Sequence, residues 1–213
     1  MKKYLCSFIL FGAFFGALSL FMLSAQQDAK GIRDGLLRFH IIGASNSDAD
    51  QQLKLKVRDG IAKLCSELFS QNENKEQAMQ TARQNKELIA ERAEQILRQN
   101  GCDDSVSVAV TSRFFPTRHY DGVSLPAGVY DTLDVKIGEA AGRNFWCVMF
   151  PDICVGTSSA HTNKEKLDGV LDGGSYDMAT DKKTPSVRFK FKAVEIFETI
   201  KNYLCSKKQN VSS

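Results

Sequence analysis

The chain has 213 residues, 43% hydrophobic and 25% charged, which is the composition of a globular domain long enough to bury a sizeable core. Its formal net charge is +3 and its basic blocks are no longer than lysine pairs, so it lacks the electrostatic footprint of a nucleic-acid-binding protein. No P-loop, dinucleotide fingerprint, G-x-S-x-G elbow or zinc-ligand spacing occurs, so neither a metal nor a cofactor is expected.

Met1-Lys2-Lys3 is a short positive head, and Tyr4 to Leu23 follows without a charge. This is the pattern of a secretory signal or an N-terminal membrane anchor, with the bulk of the chain exported. The apolar stretch is close to the ~20 residues that span a bilayer. Ser24-Ala25 offers a small residue at −1 of a cleavage site, while Leu23 is a poor −3 residue, so cleaved signal and retained anchor both stay open. Residues 1–25 are therefore assigned to a signal or anchor and 26–35 to a polar spacer. Residues 36–205 form one domain with a mobile loop at 155–185, and 206–213 form a tail.

Leu36 to Ile42 reads as the first strand. A polar knot follows at Gly43 to Asp48, and Ser47 or Asp48 supplies a helix cap. Leu53, Val57, Ile61, Leu64 and Leu68 then repeat as one face of a helix. A second helix is expected from Lys75 to Gln99, ended by Asn100-Gly101 and folded back on the first as a hairpin. Val106, Val108 and Val110 alternate as a strand. Leu133, Val135 and Ile137 mark another, and Asn144 to Phe150 a third; the short link between the last two predicts a β-hairpin. From Val155 to Pro185 no hydrophobic period is visible. Phe189, Ala193, Ile196, Phe197, Ile200 and Leu204 then form the apolar stripe of a C-terminal helix.

The fold expected from this order is α+β: a mostly antiparallel sheet of about four strands, with a helical hairpin and a C-terminal helix packed on it. His40, inside the first strand, is expected to be half-buried and structural. Asp131, Asp134 and Glu139 are expected to be solvated strand residues. Outside the apolar segment five cysteines remain: Cys65, Cys102, Cys147, Cys154 and Cys205. Cys147 and Cys154 are the candidate disulfide, since Phe150-Pro151-Asp152 turns the chain between them; two separate buried thiols are the alternative.

Three stretches carry a resemblance to a known family. Arg38 to Asp59, RFHIIGASNSDADQQLKLKVRD, resembles the N-terminal motif of the stage II sporulation protein R family, at Arg38, His40, Ala44, Asn46, Ser47, Asp50, Gln51, Lys54, Lys56, Val57, Arg58 and Asp59. Leu125 to Cys154 is similar to its P-x-G-x-Y and N-W-W-C-V-x-F-P-P-x-C blocks, and Val187 to Ile200 to its C-terminal helix. Phe145 stands for the usual first Trp and Asp152 for the second Pro, while Gly43 and Ala140 alter small positions. The resemblance implies an exported signal, not an enzyme. The same resemblance implies a protein made in the forespore whose partner is a membrane-embedded aspartic peptidase that cleaves pro-sigma-E in the mother cell. The partner-binding residues expected are Ser45, Asn46, Asp50, Gln51, Lys54 and Arg58, because the knot holds more polar groups than a turn requires. The alternatives are an exported hydrolase acting on cell-wall or peptide substrates, built around His40 or His119, and a wall-adhesion domain.

Overall fold

The computed structural model describes residues 2–153, 160–181 and 184–211. Helix α1 runs unbroken over Lys2–Gly35. Its first two thirds expose large apolar side chains such as Leu10 and Phe14, while Ala25, Ala29 and Ile32 are completely buried. The polar spacer expected at 26–35 is thus the last part of this helix. Three apolar residues at four- and three-residue spacing suffice to seat one helical face; Gln27 and Lys30 face outward, while Asp28 is held by Lys190.

Strand β1 (Leu37–Ile42) is followed by α2 (Asp48–Leu68), and the cap is Ser47, whose hydroxyl accepts from the Asp50 amide. The predicted stripe packs inward: Val57 and Ile61 are fully buried, and Leu53, Leu64 and Leu68 line the same core. The expected second helix is two, α3 (Lys75–Gln84) and α4 (Lys86–Gln99). Asn85 divides them because its side-chain amide donates to the Thr81 carbonyl, a local bond that competes with helix continuation.

Strands β2 (Val106–Phe115), β5 (Gly128–Ile137) and β6 (Asn144–Phe150) complete a four-stranded mixed sheet of order β2-β5-β1-β6. β1 is parallel to β5 and antiparallel to β6, and β2 is antiparallel to β5. β3 (Arg118–Tyr120) and β4 (Val123–Leu125) form a separate small hairpin. The predicted hairpin between β5 and β6 does not form, because β1 lies between them. Its connection must cross two strand spacings, roughly 10 Å. It does so over the end of β1, where the Ala141 and Gly142 amides donate to the Ala44 and Gly43 carbonyls at 3.1 and 3.0 Å. A side chain at Gly142 would meet the Ser45 carbonyl at 2.4 Å, so only glycine fits that crossing.

Helices cover both faces of the sheet. Leu37, Phe39 and Ile41 point into a core shared with α2, α3 and α4. The opposite face is closed by α1, the β3–β4 hairpin, α5 (Ala160–Asp168), α6 (Gly173–Thr180) and α7 (Pro185–Val211) around Phe115, Tyr130, Val148, Leu167, Met178 and Val194. The mobile loop expected at 155–185 is therefore largely helical within 160–181. Two glycines serve the α6–α1 contact: a Cβ on Gly174 of α6 would meet the Asp28 carboxylate at 2.6 Å, and one on Gly31 of α1 would meet the Ser175 hydroxyl. Small residues let α6 lie against α1 without the apolar stripe by which a helix is usually read.

Helix α7 runs alongside α1 in the same direction. Lys190 bonds Ser24 and Asp28, and eight residues on Glu198 faces Arg33 at 3.6 Å. The helix continues to Val211, through the segment expected to be a tail. Its predicted stripe is not the face that packs. Val194 and Glu198 are buried, whereas Phe189, Ile196, Phe197, Ile200 and Leu204 are 44–69% exposed.

Candidate interaction surface at the β1–α2 corner

The knot between β1 and α2 is bonded mainly to itself and to the β5–β6 crossing. The Ser45 hydroxyl donates to the Asp50 carboxylate and accepts from the Ser47 amide. The Gln51 side-chain amide donates to the Ser45 carbonyl at 2.7 Å. Lys54, 4% exposed, donates to the Gln51 side chain at 2.6 Å and to the Arg143 carbonyl at 2.8 Å. Its ammonium rests on neutral acceptors. Burial first, and then the charges of Arg143 and Arg58, pull its pKa below the ordinary lysine value.

These bonds divide the six predicted residues. Ser45, Asp50, Gln51 and Lys54 spend their polar groups on holding the crossing over β1. Asn46 is exposed at the tip, and its side chain makes no hydrogen bond among the described residues. Arg58 lies on the adjoining helix face, paired with Asp59 at 2.6 Å and set 4.9 Å over the Phe145 ring, with a quarter of its side chain open. Beside them an open depression of about 300 Å³ is lined by Asp48, Gln51, Gln52, Lys54, Leu55 and Arg143. Arg143 and Leu55 had not been anticipated in this surface; Arg143 arrives from the far end of the β5–β6 connection, which only the strand order brings here. The surface carries both signs of charge and is held by these internal bonds.

A second polar cluster lies inside the sheet's other face. His40 is fully buried, not half-buried. Its ring bonds Asp134 at 2.5 Å through Nδ1 and Asn144 at 2.8 Å through Nε2, and stacks on Trp146 at 4.1 Å. Arg113 donates to the other oxygen of Asp134 at 2.7 Å. Asp134, expected to be solvated, is thus a buried ion-pair centre, and Asp131 pairs with Lys75 at 2.8 Å. Burial would raise the Asp134 carboxyl, but the hydrogen bonds from His40 and Arg113 outweigh it, and its pKa lies below the usual value.

Beside this cluster the fully buried Arg38 sits between aromatic rings, 4.2 Å from the Phe115 centroid and 4.9 Å from that of Tyr130. It donates to the Cys147 carbonyl and the Tyr120 hydroxyl, both at 2.8 Å. Burial pushes the Tyr130 phenol up to about 12. The in-phase polar residues of three strands, Arg38/His40, Thr132/Asp134 and Asn144, were a visible signal. It becomes interpretable only once the register pairs His40 with Asp134.

With both ring nitrogens of His40 engaged, the ring offers none to a substrate. His119 is placed differently: Nδ1 lies 3.0 Å from the Ser124 hydroxyl, beside a cavity of about 180 Å³ also lined by Met178, Val187, Arg188 and Phe191. Among the described residues no group of His, Cys, Asp and Glu is arranged to hold a metal. Cys147 is disulfide-bonded, while Cys154, its expected partner, lies outside the described residues. Cys65, Cys102 and Cys205 are free, and burial pushes the Cys65 thiol up to about 12, leaving it inert.

Fold and surface together define a mixed-sheet α+β protein with an apolar N-terminal helix and a polar corner turned outward. The family model for stage II sporulation protein R matches residues 33–160, and the chain belongs to that family. Stage II sporulation protein R of Bacillus subtilis (strain 168) is 33% identical over 138 residues, 64% of this chain; the chain spans 62% of that relative's length. No solved structure matches the chain. Among the described residues one helix, α1, is long and apolar enough to cross a membrane, which is compatible with a signal or an anchor.

Proposed function

We propose that this chain is an exported sporulation signal. It acts between forespore and mother cell, held at the forespore membrane by the apolar part of α1, and activates the membrane-embedded aspartic peptidase that processes pro-sigma-E. Family membership carries this reading. The β1–α2 corner is the proposed docking surface, and Asn46 and Arg58 are its recognition residues, because their groups are the ones the knot does not consume. The adjoining exposed Leu55 and Arg143 extend the surface. Asp50 and Lys54 act indirectly by holding the loop.

The test is complementation of a deletion strain scored for pro-sigma-E cleavage. Asn46→Ala with Arg58→Ala should abolish or strongly slow cleavage while export and thermal stability stay unchanged. Normal cleavage by that double variant would sink the surface assignment. No cleavage defect in the deletion strain would sink the function.

One observation favours a second reading, an exported hydrolase: the His119–Ser124 pair beside an apolar cavity. Ser124→Ala separates the two. Under the signalling reading it leaves cleavage intact and the protein unlabelled by a serine-directed fluorophosphonate before and after mutation. Labelling of the parent that is lost in the variant would favour the hydrolase.

A further inference from the structure

The most apolar face of α7 points away from the domain that carries it. Phe189, Ala193, Ile196, Ile200 and Tyr203 follow one another at spacings of four, three, four and three, the a/d repeat of a coiled-coil seam. Phe189 is 69% exposed, Ile196 59%, Ile200 54% and Tyr203 64%; Phe197 and Leu204, which flank the seam, are 44% and 55% exposed. Val194 and Glu198, the buried positions that meet α1, lie on the opposite side of the helix. A helix of a self-sufficient domain turns its apolar stripe inward; here the domain holds the reverse face, and Phe189, Ile196, Ile200 and Tyr203 of the stripe stay more than half exposed.

We infer that this seam is covered by the α7 of a second copy of the chain, as a parallel pair related by a two-fold axis along α1. Three observations favour that occupant. The first is direction: α7 runs parallel to α1, so two copies whose α1 helices enter one bilayer already present their α7 helices side by side and in register. This point rests on the reading of α1 as a membrane anchor. The second is height. Lys190 bonds Ser24, just past the apolar stretch that ends at Leu23, and Glu198 lies level with Arg33. Most of the seam, about 20 Å long at 1.5 Å per residue, therefore stands clear of the bilayer and is not covered by lipid.

The third is area and charge. Six side chains about half to two-thirds exposed offer on the order of 600 Å² per copy, near the ~800 Å² per partner of a standard stable interface. Beside the seam's first half, Lys192 is neutralised by Glu195 at 2.6 Å and Lys190 by Asp28 at 2.8 Å; Lys207, four residues past Tyr203, lies on the next position of the repeat, beyond the apolar seam.

The test uses the full chain in dodecylmaltoside micelles and in membranes. Sedimentation should show a dimer for the parent and a monomer for Ile196→Asp with Ile200→Asp. That double variant should keep the parent's circular dichroism, because both residues are exposed in the single chain. Under mild oxidation Ile200→Cys should cross-link to itself at least about fivefold more than Lys201→Cys, since only seam positions bring Cα atoms within ~7 Å.

A monomeric parent, or a dimer that survives the double aspartate, would overturn the inference, the latter by assigning association to α1. So would cross-linking of Phe189→Cys to Tyr203→Cys in preference to Ile200→Cys with itself, which marks an antiparallel pair. Membrane fractionation is scored separately. A chain that pairs through α7 yet leaves the membrane fraction refutes the anchor and not the pair.

Discussion

Asp134 ties three strands together through two side chains. His40 on β1 and Arg113 on β2 both bond its carboxylate, and Asn144 on β6 closes the other side of the His40 ring. Removing one partner of a buried pair leaves the others uncompensated, so Asp134→Asn should cost about 3–5 kcal/mol in urea denaturation. The pH dependence has a definite sign. A carboxyl depressed in the folded state contributes stability that is complete above the unfolded value, near ~3.9, and is lost as the pH falls through the folded value. Acid unfolding of the parent should accordingly steepen below about pH 4, and Asp134→Asn should flatten that part of the profile. Equal slopes in both proteins would show that other carboxylates set the acid limit. None of this was legible residue by residue: Asp134 stands in a strand of alternating pattern beside Asp131, and only the placement of β1 next to β5 separates a buried carboxylate from a half-exposed one.

Elements built on apolar periodicity were legible; those built on small residues were not. α2, β2 and the strand-like run of β1 follow from their sequence patterns because their side chains meet the core at regular spacing. α6 escaped because it docks through glycine and serine, and α5 because it buries only Asn163 and Leu167, too few to show a period. Asp172 caps α6 by accepting from the Ser175 amide at 2.9 Å, and the Ser175 hydroxyl donates to the Asp28 carbonyl at 2.9 Å. Enlarging that contact should be costly. Gly31→Val places a branched side chain where the Ser175 hydroxyl already stands, and overpacking of this kind costs about 1–3 kcal/mol. Protease digestion should then cut the 160–181 segment in the variant and spare the parent. Equal resistance would show that α6 is held elsewhere. At the corner, Gly142→Ala should strain the crossing, because the Ser45 and Gly43 carbonyls leave no room for a Cβ. A fall in thermal midpoint, with signalling lost in proportion, would fit a loop that only positions Asn46.

For the whole molecule, α1 serves two purposes that composition assigns to separate segments. Its exposed apolar part suits a bilayer, and its last turns belong to the domain core. A chain trimmed before Ser24 should therefore remain soluble and unfold cooperatively. One trimmed before Leu36 loses Ala25, Ala29 and Ile32 from the second core and should be destabilised by several kcal/mol, at roughly 1.5–3 kcal/mol for Ile32 alone. Circular dichroism melts of the two truncations check this; indistinguishable melts would show that 24–35 is a spacer after all.

The sequence by itself determined the α+β class, the capped start of α2, the apolar N-terminal helix and the family, because each rests on local pattern: periodicity, a cap hydroxyl, a run without charge, a motif. Tertiary structure alone decided which polar residues of the knot face outward. Ser45, Asp50, Gln51 and Lys54 look as available as Asn46 and Arg58 until the β5–β6 connection crosses β1 and takes up their hydrogen bonds. It likewise decided that the stripe of α7 faces outward, since periodicity reveals that a helix has an apolar face and contains nothing about which neighbour covers it.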